Sequence, residues 1–85
     1  MNELENLRKK IIYRANYRGT KEMDILLSAF VKSIIDKLSL DELDELNALL
    51  NLEDEEIYNF YQNNTTSKNL TNNKIAGKLK VFKIL

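Results

Sequence analysis

"KEMDILLSAFVKSIIDKL", residues 21–38, decides how this chain folds. Met23, Leu26, Leu27, Phe30, Ile34 and Leu38 recur at the three- and four-residue spacing that lines one face of an α-helix. Ile25, Ala29, Val31 and Ile35 widen that stripe, which predicts a central, largely buried helix. Upstream, Leu4, Leu7, Ile11 and Ala15 keep the same period and predict a first helix over 3–17. Gly19 follows where helices commonly end, because glycine takes a left-handed conformation at little cost. Downstream, "SLDELDEL" (39–46) begins with Ser39 as N-cap and Glu42 three residues later, a capping box, with Asp41 adding favourable charge at the positive helix end. Leu43, Leu46, Leu49 and Leu50 form the face of that third helix. A fourth helix is predicted over 53–62, with its acids in the first turn and Ile57, Tyr58, Phe60 and Tyr61 after them. "NNTTSKNLTNN" (63–73) has turn composition and little to bury. Ile75, Leu79 and Phe82 predict a last helix over 71–83, weakened in its middle by Gly77. No strand signal competes. The expectation is an all-α fold: one domain over residues 1–85, a small bundle of five helices.

Composition narrows the function. The chain has 85 residues and a formal net charge of zero, from 13 basic and 13 acidic side chains. Bulk attraction to nucleic acid or to an anionic membrane is not indicated. The charge is segmented: residues 1–22 carry six Lys/Arg against three acids, residues 23–57 two against ten, and residues 58–85 five lysines and no acid. That pattern suggests local complementarity, which oppositely charged helix faces in a small bundle also explain. There is no cysteine, hence no disulfide, thiolate nucleophile or cysteine metal site. Histidine, the usual general base near neutral pH and a common metal ligand, is absent too. No acid/base arrangement of the carboxylates is recognisable, so no catalytic residue and no metal ligand is expected, and an enzyme acting alone is disfavoured. "MNELENLRKK" resembles neither a secretory signal nor an acid-poor transit peptide, and no stretch approaches the length needed to span a bilayer. The expectation is a soluble protein of a reducing cytoplasm.

The corner "YRGTKEMD" (17–24) interrupts the apolar rhythm and supports two readings. Helix geometry alone accounts for it: Arg18 in the last turn of one helix, Glu22 and Asp24 in the first turn of the next, each worth about 0.3–1 kcal/mol as helix-end charges. Glu22 bonding back to the Gly19 amide would complete a capping box. The other reading is a docking surface. Tyr13, Arg14, Tyr17, Arg18 and Lys21 gather aromatic and cationic groups of the kinds favoured at protein interfaces, with Arg18 paired to Glu22 or Asp24.

At these residues the chain resembles the small bacterial and mitochondrial assembly factors that promote covalent flavin attachment to succinate dehydrogenase. Their hallmark is R-G-x-x-E, usually continued as x-D, at the junction of the first two helices; here it stands as Arg18, Gly19, Glu22 and Asp24. An I-Y-R-A approach precedes it, "DILLSAF" follows, and then come the S-L-x-E-L helix start and "LLNLEDEEIYNFY". The likeness runs from about residue 7 to residue 62. Tyr17 stands where many members have a second basic residue, and Phe60 where many have tryptophan. The resemblance implies a five-helix bundle that binds the flavoprotein subunit of succinate dehydrogenase, or of fumarate reductase, and favours attachment of FAD to a histidine of that client. It implies client contacts by Arg18 and Glu22, with Gly19 allowing close backbone approach, Asp24 either a contact or a helix-start charge, and Tyr17 and Arg14 extending the patch. The resemblance further implies that FAD belongs to the client and is not held stably by this chain; nucleic acid and membrane insertion are not expected. The alternative is a generic helical adaptor, or a self-associating module, that takes a partner helix through Tyr58, Phe60 and Tyr61.

Overall fold

The computed structural model describes residues 2–63 and 67–83. It is all-helical: α1 (Glu3–Asn16), α2 (Lys21–Ile34), a 3-10 turn (Ile35–Lys37), α3 (Leu40–Leu50), α4 (Asp54–Asn63), α5 (Lys68–Thr71) and α6 (Ala76–Lys80). No strand occurs among the described residues.

Local chemistry starts each long helix. Asn2 caps α1 by accepting from the Glu5 amide at 2.7 Å. Thr20 caps α2, its hydroxyl accepting from the Met23 amide at 3.2 Å. The box expected at α3 is complete: Ser39 Oγ accepts from the Glu42 amide and Glu42 Oε1 from the Ser39 amide, at 3.3 and 2.9 Å. The backbone bond from Ser39, and secondarily its hydroxyl, stabilises the ionised Glu42 and lowers its pKa against the opposing effect of desolvation.

α2 is the central element, packed on α1 and burying Met23, Leu26, Leu27, Phe30 and Val31. Ile11 and Ala15 of α1, Leu43, Leu46, Leu49 and Leu50 of α3, and Ile57 and Phe60 of α4 complete one contiguous core with it. The regular α2 helix ends at Ile34, short of Leu38; the 3-10 turn then brings Ile35 and Leu38 inward.

The C-terminal region departs from the five-helix expectation. The helix predicted over 71–83 is confined to Ala76–Lys80 (α6), and a further short helix, α5 (Lys68–Thr71), falls in the stretch expected to be a turn, so six α-helices are present among the described residues. The break is Asn73. Its buried side chain accepts from the Ile75 and Ala76 amides at 2.9 and 3.1 Å and donates to the Glu45 carbonyl of α3 at 2.8 Å. Those two amides are therefore satisfied by a side chain, and a new helix starts at Ala76. The expectation that 63–73 buries little also fails, since Leu70 is in the core. Residues 64–66 of that stretch lie outside the described residues. Leu70, Ile75, Ala76 and Leu79 close the open side of the bundle against α4. Tyr61 donates to the Phe82 carbonyl at 2.6 Å and Lys80 to the Phe60 carbonyl at 3.1 Å, its ammonium 4.7 Å from the Phe60 ring centroid.

Candidate functional site

Two corners meet at one end of the bundle: the α1–α2 turn and the α3–α4 turn. Arg18 joins them. Its guanidinium does not pair with Glu22 or Asp24; it turns inward to Asp54, in the first turn of α4. Arg18 Nε donates to Asp54 Oδ1 at 2.8 Å and Nη2 lies 2.6 Å from the same oxygen. Nη1 donates to the Leu50 carbonyl at 2.7 Å and Nη2 to the Leu52 carbonyl at 3.1 Å. The Arg18 side chain is only 9% exposed and that of Asp54 24%.

The reason lies in α3. Its last turn contains no basic residue, and the carbonyls at its C-terminal end need donors. Arg18 supplies the cation and the donors from another part of the chain, at the negative end of that helix dipole. Arg14, one turn earlier on α1, donates through Nη1 to the side chain of Asn51, the C-cap of α3. The i, i+4 pair of arginines thus grips the α3–α4 turn. Arg's planar fork suits this task where a lysine would not, because several acceptors lie in fixed directions.

The corner backbone is held from two sides. The Arg18 amide donates to Asp24 Oδ1 at 2.5 Å, and the Gly19 amide to Asp54 Oδ2 at 2.7 Å. Gly19 does not adopt the left-handed conformation expected of it. Its role is space: a Cβ there would stand 3.1 Å from Asp54 Oδ2. Nor does Glu22 complete a capping box on Gly19, since Thr20 is the cap and Asp54 takes the glycine amide.

What remains outward is distinct. Glu22, Lys21 and Tyr17 are exposed, Tyr17 at 70% and stacked on exposed Tyr13 with ring centroids 4.5 Å apart. Glu22 lines a groove of about 560 Å³ with Gly19, Thr20, Met23, Asp54, Glu55 and Tyr58. The groove has Met23 and Tyr58 as apolar lining and the carboxylates of Glu22, Asp54 and Glu55 around it. A smaller depression continues along α2 and α4 past Ile25, Leu26, Tyr58 and Tyr61. Of the aromatic trio in α4, Phe60 is core, Tyr61 packs against the core and Tyr58 is exposed. The structure therefore brings Arg14, Arg18, Gly19 and Asp24 together as an internally bonded corner, with Tyr17 and Glu22 on its outer surface. Asp54 and Asn51, which bind the arginines, carried no assignment in the sequence beyond the acidic first turn of α4 and the segment's charge complementarity.

The fold and the site define a small helical protein with an internally bonded corner, exposed aromatic and acidic groups on its outer side, and an apolar-lined groove beside it. The match to known proteins is more particular: residues 9–83 fit the family model described as the flavinator of succinate dehydrogenase, and the chain belongs to that family. It is 40% identical over 60 residues to the mitochondrial succinate dehydrogenase assembly factor 2 of Dictyostelium discoideum, covering 71% of this chain and 43% of the relative. The protein of the same name in Candida glabrata is 34% identical over 83 residues, 93% of this chain and 54% of the relative. The FAD assembly factor SdhE of Acetobacter pasteurianus is 38% identical over 50 residues, 59% of this chain and 46% of the relative. The chain spans about half the length of these curated relatives. No helix among the described residues is long and apolar enough to cross a membrane.

Proposed function

We infer that this chain binds the flavoprotein subunit of succinate dehydrogenase and promotes covalent attachment of FAD to a histidine of that subunit. The observation that carries this reading is the family match over residues 9–83, which includes the corner built on Arg18, Gly19, Glu22 and Asp24. Fumarate reductase is the second client in this reading. The setting is the compartment where that subunit takes up FAD, which in a bacterium is the cytoplasm.

The division of labour follows from residue types. With no histidine or cysteine, this chain does not supply the linking nucleophile. The client supplies the histidine and holds the flavin; this chain favours the client conformation in which the two are aligned. Holding reactive groups in near-attack geometry accelerates a reaction without any catalytic side chain of the helper's own. Glu22 and Tyr17, both exposed at the corner, are the direct contacts in this scheme, and the Met23–Tyr58 groove receives an apolar side chain of the client. Arg14, Arg18, Gly19 and Asp24 shape that surface from within.

Co-purification with candidate flavoprotein subunits tests the reading. The expected result is a complex with the succinate dehydrogenase subunit that Glu22→Ala weakens. A generic helical adaptor predicts instead that flavoproteins are absent from the bound fraction and that changes at Tyr58 matter more than changes at Glu22.

A further inference from the structure

Asp54 is the acceptor on which both the arginine and the glycine of the corner converge. Oδ1 takes the Arg18 guanidinium and Oδ2 the Gly19 amide. Asp54 also lies between the walls of the groove: Thr20, Glu22 and Met23 come from the start of α2, Glu55 and Tyr58 from the start of α4. We propose that Asp54 is a positioning residue for client docking, setting the distance and orientation between Glu22 on one wall and Glu55 and Tyr58 on the other. This proposal rests on the client-binding reading above.

Three observations carry it. Both carboxylate oxygens are engaged within the chain, so Asp54 acts through its neighbours. The Gly19 amide immediately precedes Thr20, the N-cap that starts α2, so a bond to Gly19 fixes where α2 begins and where Glu22 stands. Arg18 ties the same carboxylate to the Leu50 and Leu52 carbonyls, which holds the α3–α4 turn to the corner. A Cβ at position 19 would stand 3.1 Å from Asp54 Oδ2, a tight contact that glycine avoids. The arginine and glycine of the corner are, on this account, receivers for Asp54.

The test is a double-mutant cycle on affinity for the purified flavoprotein subunit, using wild type, Asp54→Ala, Glu22→Ala and the double variant. It is run at a temperature where circular dichroism shows each variant as helical as wild type. Asp54→Ala is expected to weaken binding about tenfold or more, and Glu22→Ala to lose most of its own effect in the Asp54→Ala background, the non-additivity of residues acting as one unit. Asp54→Asn, which keeps a carbonyl acceptor for Gly19 but loses the charge facing Arg18, is the second variant and should fall between. A readout independent of the client is the exchange rate of the Gly19 amide, expected to rise in Asp54→Ala. Folded Asp54→Ala binding like wild type, fold-changes that multiply independently, or a Gly19 amide as protected as in wild type each overturns the positioning role. Wild-type protein that fails to bind the flavoprotein at all overturns the functional reading, while the Gly19 exchange rate still decides whether Asp54 holds the corner.

Discussion

Arg18→Ala strips the corner of a side chain that reaches Asp54, the last carbonyl of α3 and the Leu52 carbonyl just beyond it at once. Three effects follow. Asp54 loses its cation, the Leu50 and Leu52 carbonyls lose donors, and the negative end of α3 loses its compensating charge. A hydrogen bond to a charged group contributes about 1.5–3 kcal/mol, and breaking a buried pair costs about 3–5 kcal/mol. The upper end does not apply, because Asp54 remains 24% exposed and rehydrates once its partner is gone. The expected loss of stability is about 2–4 kcal/mol. For a chain of this size that corresponds to a drop of about 10–25 °C in melting temperature. Urea unfolding followed by circular dichroism, with wild type, Arg18→Ala and Arg18→Lys side by side, measures it. Arg18→Lys should recover only part of the loss, since an ammonium does not reproduce the planar fork. A change below about 1 kcal/mol, the scale of an exposed helix-end charge, would refute the inward-facing role of Arg18.

Asn73→Ala leaves the Ile75 and Ala76 amides and the Glu45 carbonyl without their partner, and should cost about 2–3 kcal/mol in the same unfolding assay. Tyr61→Phe removes only the bond to the Phe82 carbonyl and should cost about 0.5–1.5 kcal/mol, which measures how firmly the C-terminal segment is strapped to α4. The folded-state pKa of Glu42 is lowered, so its ionised form contributes stability above the unfolded pKa and loses it as pH falls through the folded one. The stability gap between wild type and Glu42→Gln should therefore be fully present at neutral pH and close under acid; a gap that does not change with pH would contradict the capping-box assignment.

Most of the fold was legible because its signals are local. The period of Met23, Leu26, Leu27 and Phe30, and the Ser39–Glu42 spacing, depend on neighbours within a turn of helix, and the structure reproduces both. The C-terminal region differs from its sequence pattern because Asn73 acts across the fold, on the Glu45 carbonyl, and its effect on chain direction is not written in the surrounding turn-like composition. The corner shows the same limit more sharply. Its position between α1 and α2 follows from periodicity, but the direction of the Arg18 side chain is set by Asp54 and by α3's lack of a basic last turn, more than thirty residues away. Opposite net charge in residues 1–22 and 23–57 marked the two segments as complementary without saying which side chains would meet. Gly19 illustrates a different ambiguity: a glycine after a helix serves either a left-handed turn or close approach, and only the neighbouring carboxylate distinguishes the two.

The most direct test of the account is covalent flavin on the client, scored by in-gel fluorescence of the succinate dehydrogenase flavoprotein subunit incubated with FAD, with and without this chain. Faster attachment is expected in its presence, with fluorescence on the flavoprotein alone and no attachment when the client's linking histidine is replaced, although the complex still forms. Flavin covalently bound to this chain, or an attachment rate that its addition leaves unchanged, would contradict the account.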